Sequence, residues 1–179
     1  MALITSHDYH WVRELSRRSY GPPGIVWHHA AGTGSPDDIH RAHVRIGDSG
    51  IAYHFYVRRN GRIYRGRPEW AWGAHCLHHN DWLGVCAEGN YEARDDMPAA
   101  QRKALRNLHS YLHHKYPGIP DRRHRDMPGN ATACPGRHFP FADITKPRPR
   151  LTGAVLKVPV PVTKPAWWKK LRAYLSRTK

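Results

Sequence analysis

The chain has 179 residues, a length that suits one ordinary domain with an appendage. It carries 29 Lys and Arg against 14 Asp and Glu, a net charge of +15 with His neutral, and 40 % of its residues are apolar. That content excludes wholesale disorder, no apolar run approaches the ~18 residues of a membrane span, and three cysteines make no disulfide framework.

Met1 to Asp8 lacks the basic-then-apolar layout of a secretory signal, so the product is expected to be made soluble in a cytoplasm. Gly24-Ile25-Val26-Trp27-His28-His29 is a compact apolar run and predicts a buried strand. Alternation along that strand turns His29 away from the face of His28. Ser35-Pro36-Asp37-Asp38 supplies an N-cap, a proline at the first helical position and an acid at the third. A short helix should follow, with Ile39, Ala42 and Ile46 as its apolar stripe. Ala52 to Arg58 reads as a second strand, and Asn60-Gly61 turns it into a third, Arg62 to Arg65. Leu83-Gly84-Val85-Cys86-Ala87 is a fourth. Pro98 opens a long helix with Ala104, Leu105, Leu108, Leu112 and Tyr116 on one face, stopped by Pro117-Gly118. Interleaved strands and helices of these lengths predict an α/β domain, a mixed sheet covered by helices.

The charge is uneven. Residues 146–179 hold ten Lys or Arg and no acid, leaving 19 basic against 14 acidic residues in 1–145. A Pro-rich basic linker (146–165) is expected to lead into a short amphipathic helix (166–179), with Trp167, Leu171, Tyr174 and Leu175 on one face. Such a helix suits an anionic surface, wall polymer or membrane, or docks back on the domain.

The histidines and one cysteine carry the chemistry. His28-His29 ends a predicted strand, His124-Arg125-Asp126 follows the long helix, and Ala133-Cys134-Pro135-Gly136 comes shortly after. Two imidazoles and a thiolate suit Zn²⁺ with a fourth position left for water. Wide spacing of ligands is the habit of catalytic zinc, whereas structural zinc draws on tight pairs. By composition alone, each of the 15 histidines also has a plain surface or core reading.

Trp27-His28-His29, Ala52-Tyr53-His54-Phe55, Gly73-Ala74-His75 with Asn80 and Gly84-Val85, His124-Arg125-Asp126 and Cys134-Pro135-Gly136 occur in that order. Together they resemble the zinc-dependent N-acetylmuramoyl-L-alanine amidases, the fold shared by phage endolysins and peptidoglycan recognition proteins. The likeness spans roughly residues 22–145. It implies a central mixed sheet flanked by helices, a peptidoglycan groove, and a catalytic domain over 1–145. It also implies Zn²⁺ held by His28, His124 and Cys134, with Tyr53 and Thr132 as catalytic groups and Trp72 and His75 lining the groove beside Trp70. Another branch of the family has a catalytic Glu where this chain has Cys86, so the chain resembles the tyrosine branch; Glu88 would keep the same strand face. His124 and Cys134 are ten positions apart, two more than in many members.

The expected function is hydrolysis of the amide between N-acetylmuramic acid and L-alanine by zinc-activated water, in a monomeric phage or prophage endolysin acting on the wall after release. A non-catalytic peptidoglycan-binding module is the alternative, and Cys134 counts against it because a binder needs no thiolate. Specific nucleic-acid binding, suggested by the pI near 10.2, is opposed by the near-balanced charge of 1–145 and by the lack of a nucleic-acid motif. Seven other histidines, at 40, 43, 78, 79, 109, 113 and 114, read as surface residues, and Cys76 and Cys86 as small buried side chains.

Overall fold

The computed structural model describes residues 3–94 and 96–147; the predicted linker and terminal helix lie outside the described residues. In chain order the elements are β1 (Ile4–Thr5), β2 (Ile25–His29), α1 (Pro36–Arg45), β3 (Phe55–Val57), β4 (Ile63–Arg65), β5 (Leu83–Ala87), α2 (Ala99–Lys115), β6 (Asp121–Arg123), a 3-10 turn (His124–Asp126) and α3 (Phe141–Thr145). The six strands form one mixed sheet in the order β1-β4-β3-β5-β2-β6. Only the β3–β4 hairpin pair is antiparallel. This is the α/β architecture expected from the sequence.

The two faces of the sheet divide the work. Ile25, Trp27, Phe55, Val57, Leu83, Val85 and Ala87 join Leu105, Leu108 and Leu112 of α2 in the main core, together with Ile144 of α3. Each fully buried leucine contributes roughly 1.5–3 kcal/mol. The intervening residues point the other way: Val26 packs with Cys76 and Met127, while Tyr56 and Cys86 pack with Ile51 and against Ile39 of α1. Period-2 alternation therefore puts His28 on the face opposite α2.

Local chemistry explains the elements. Ser35 Oγ accepts from Asp38 N–H at 3.1 Å and Asp38 Oδ2 accepts from Ser35 N–H at 2.8 Å, the reciprocal capping box that starts α1. Ile46 falls just beyond the helix as its C-cap and is 77 % exposed, so it leaves the predicted stripe. The Asn60-Gly61 turn closes with Arg58 N–H to Arg62 O at 2.9 Å. The predicted strand 52–58 narrows to Phe55–Val57, because Tyr53 accepts from Arg67 and His54 from Gly66 in a bend ahead of it.

Candidate metal centre and cleft

β2, β5 and β6 run parallel, and the site forms beyond their carboxyl ends, where open α/β sheets collect their ligands. His28 lies near the end of β2 and His124 directly follows β6. Cys134 arrives on a loop tied to the 3-10 turn by Arg125 N–H donating to the Cys134 carbonyl at 2.8 Å. Two residues on, Gly136 has φ +101° and lies so close to the Tyr91 backbone that a Cβ would stand 2.2 Å from it. Glycine is what lets this loop seat Cys134 beside the sheet.

The three predicted ligands converge. His28 Nδ1 is 3.6 Å from Cys134 Sγ, the His28 and His124 ring centroids are 4.5 Å apart, and one ligand atom from each residue lies within 4.8 Å of the others.

Hydrogen bonds decide which nitrogen each imidazole offers. His75 Nε2 lies 3.1 Å from the Trp82 carbonyl, which only accepts, so Nε2 carries the proton and Nδ1 is bare. That bare Nδ1 lies 3.0 Å from His28 Nε2, which must therefore carry a proton in turn. His28 is left with its Nδ1 lone pair aimed toward Cys134. On His124, Nε2 donates to Asn130 Oδ1 at 3.0 Å, which again leaves Nδ1. The amide is oriented by Leu77, whose N–H donates to Oδ1 at 3.1 Å and whose carbonyl accepts from Nδ2 at 3.0 Å. Outer partners of this kind hold metal-ligating histidines in one tautomer.

Electrostatics agree with this arrangement. Burial, then the neighbouring His75 and His124, pushes His28 well below the usual imidazole range. Burial also lowers His124, against the Asn130 bond that raises it. Both rings are thus held neutral, as ligands must be. Burial pushes the Cys134 thiol up to about 11, so a cation must displace its proton. Two neutral imidazoles and one soft sulfur, with a fourth direction open to a cleft, fit a zinc ion of the catalytic type.

That cleft has a volume of about 470 Å³, and Tyr53, Glu92 and Thr132 line it with the three ligands. The Tyr53 ring centroid is 5.2 Å from that of His28. Burial, with the Cys86 and Cys134 sulfurs alongside, raises the Tyr53 phenol well above its ordinary value, so it keeps its proton to donate. Thr132 Oγ1 accepts from Cys134 N–H at 3.1 Å, which leaves its own proton free. The longer His124–Cys134 loop folds on itself through Asn130 N–H to Met127 O at 3.2 Å, and both ligands stay in the cleft.

Other sequence expectations sit differently. His75 does line the cleft, 8 % exposed, with its Nδ1 facing His28 and its Nε2 donating to the Trp82 carbonyl. Its ring rests on Gly84, where a Cβ would come within 2.5 Å of it. Trp72 is 37 % exposed but is not among the residues lining the cleft, and Trp70 stacks under Arg17 at 4.3 Å. Glu88 is buried and spoken for: it accepts from Arg58 at 3.0 Å, Arg59 N–H at 2.9 Å and Gly34 N–H at 3.1 Å. Several histidines read as surface residues are structural. His43 Nδ1 accepts from Ala52 N–H at 2.9 Å, His40 Nδ1 accepts from Ile51 N–H at 3.2 Å, and His109 is buried. His29 serves the core side, accepting from Tyr91 N–H at 3.0 Å. Asn130 escaped the sequence reading because an isolated asparagine in a loop looks like turn chemistry.

Residues 18–137 match the N-acetylmuramoyl-L-alanine amidase family. The chain belongs to that family. The match includes His28, Tyr53, His124 and Cys134, so the whole cleft of this amidase lies inside it. The chain is 34 % identical to the endolysin of Enterobacteria phage T3 over 103 residues, which are 55 % of this chain and 67 % of that protein. Among solved structures, it is similar to the N-acetylmuramoyl-L-alanine amidase LysC from Clostridium intestinale. The identity is 39 % and the TM-score 0.74, over 79 % of this chain and 93 % of that one. Drosophila peptidoglycan recognition protein SD shares the fold at 22 % identity and TM-score 0.68, over 76 % of this chain and 89 % of that one.

Proposed function

We propose that this amidase hydrolyses the amide between N-acetylmuramic acid and L-alanine in peptidoglycan, using a zinc ion held by His28 Nδ1, His124 Nδ1 and Cys134 Sγ. The observation that carries this reading is the convergence of one ligand atom from each of those residues within 4.8 Å, in an open cleft that Tyr53 also lines. When bound, zinc supplies Lewis-acid chemistry, lowering the pKa of a water from 15.7 toward about 7 and polarising a carbonyl.

The chain's own groups do the rest. His75 and Asn130 keep the two imidazoles aimed, and burial keeps them neutral. Tyr53 donates its phenolic proton toward the carbonyl oxygen as charge builds there, and Thr132 Oγ1 offers a second donor from the opposite loop. Tyr53 Oη would also relay to the departing amine of L-alanine the proton that the attacking water gives up, and would end the cycle protonated as it began. The role is that of a phage endolysin, stored in the producing cell and acting on the wall after release.

Digestion of purified peptidoglycan, with and without a chelator, tests the proposal. Free stem peptides with an L-alanine amino terminus should accumulate, stop on chelation and resume on zinc addition. New reducing sugar ends without freed peptide would overturn it.

A further inference from the structure

A second cluster of ligating side chains lies on the α2 face of the sheet, away from the cleft. His109 and His113 are four residues apart in the last turns of α2, and Asp121 opens β6. His109 Nε2 is 3.1 Å and His113 Nε2 2.8 Å from the same carboxylate oxygen, Asp121 Oδ2. The other oxygen, Oδ1, accepts the Trp27 indole N–H at 2.7 Å. The two imidazole centroids are 4.2 Å apart, and all three ligand atoms lie within 4.8 Å of one another. The His109 and Asp121 side chains are only 7 % and 12 % exposed, while His113 at 28 % leaves an entry from solvent. None of the three takes part in the hydrolysis proposed above.

We propose that His109, His113 and Asp121 form a second transition-metal site, for an ion of the zinc, cobalt or nickel class. Donors at ~2.0 Å around a tetrahedral ion stand roughly 3.3 Å apart, so the two nitrogen–oxygen spacings need open by only a few tenths of an ångström. Two imidazoles and a carboxylate suit borderline divalent ions. The indole N–H on the far carboxylate oxygen supplies the outer support such ligands receive. Binding requires each neutral imidazole to carry its proton on Nδ1 rather than Nε2. The ion would fasten α2 to β6, the strand that leads into His124, and three protein ligands would leave water to complete its shell.

Titration of the metal-stripped full chain with Co²⁺, read by absorption and equilibrium dialysis, separates the two sites. Two equivalents should bind. One should show a thiolate-to-cobalt charge-transfer band from Cys134, and the other only ligand-field bands. His113→Gln keeps a donor to Asp121, so the fold should stand while the second equivalent is lost and the thiolate band stays. Cys134→Ser should do the reverse. A single equivalent in the native chain would overturn the proposal. So would a second equivalent that survives both His113→Gln and His109→Gln, since that would place it on scattered histidines.

Discussion

At the scale of single residues, the proposed chemistry separates groups that would hold a metal from groups that would act on the substrate. Tyr53 touches no ligand-orienting bond, so Tyr53→Phe should retain full zinc content while kcat falls about 10²–10³-fold, the usual cost of removing one donor to a developing oxyanion. Metal analysis beside steady-state rates checks this, and an unimpaired rate would deny the phenol its role. His75 and Asn130 act the other way, through the imidazoles they orient at 3.0 Å each. His75→Ala or Asn130→Ala should weaken zinc binding by about 10–100-fold in chelator competition and restore much of the rate at saturating zinc. A rate that stays low at saturating zinc would instead place either side chain on the substrate. The candidate ligands were legible because their motifs stand in the order that the amidase family shows, not because single histidines stand out among fifteen. Their orienters were not: His75 needs the Gly84 seat and the Trp82 carbonyl to show which way its protons point, and neither has a sequence signature.

At the scale of elements, sequence patterns showed what is periodic and missed what is short or polar. The Asn60-Gly61 hairpin and the capped α1 carry explicit turn and cap chemistry, and α2 carries a leucine stripe. β6 reads Asp-Arg-Arg and has no apolar alternation, yet it pairs with β2 because Asp121 is gripped from α2 and by Trp27. Only tertiary partners make it a strand. Glu88 is a similar case at the end of β5, where one carboxylate holds Arg58, the Arg59 amide and the Gly34 loop together. Burial raises its pKa, but those hydrogen bonds and the Arg58 charge outweigh it and leave it below the usual carboxylate range. Glu88→Gln breaks the ion pair while keeping the shape. Since Arg58 is about a third exposed, water softens the loss, and about 2 kcal/mol of stability should go. A urea midpoint lowered at unchanged slope, in zinc-saturated protein, is the expected result; no shift would mean that solvent replaces the pair.

At the scale of the whole molecule, two charge properties make predictions of their own. His54 is fully buried, with Nε2 donating to Ala71 O at 3.0 Å and Nδ1 accepting from Gly84 N–H at 2.9 Å, and burial lowers it to about 4. An unfolded chain protonates the same ring near pH 6.5, so stability is lost as pH falls from about 6.5 toward 4, on the order of 3 kcal/mol in all. The depressed carboxyls Glu69 and Glu88 add their loss only as pH falls below about 4.3. Thermal midpoints of metal-stripped protein should therefore decline in two stages, and a flat midpoint from pH 7 to 5 would contradict the buried neutral ring. The second property is that residues 146–179 hold ten of the 29 basic residues and no acid, so removing them takes away two thirds of the net charge of +15. We propose that this segment anchors the enzyme on an anionic wall or membrane surface. A chain ending at residue 147, which loses nine of those ten cations, should cleave small soluble peptidoglycan fragments at the full rate but bind anionic sacculi more weakly. That deficit should close near 1 M salt, where the screening length has shrunk to about 3 Å and the intact chain loses its own advantage. If the shortened chain instead loses thermal stability and activity on soluble fragments, the segment docks on the catalytic domain and serves the fold.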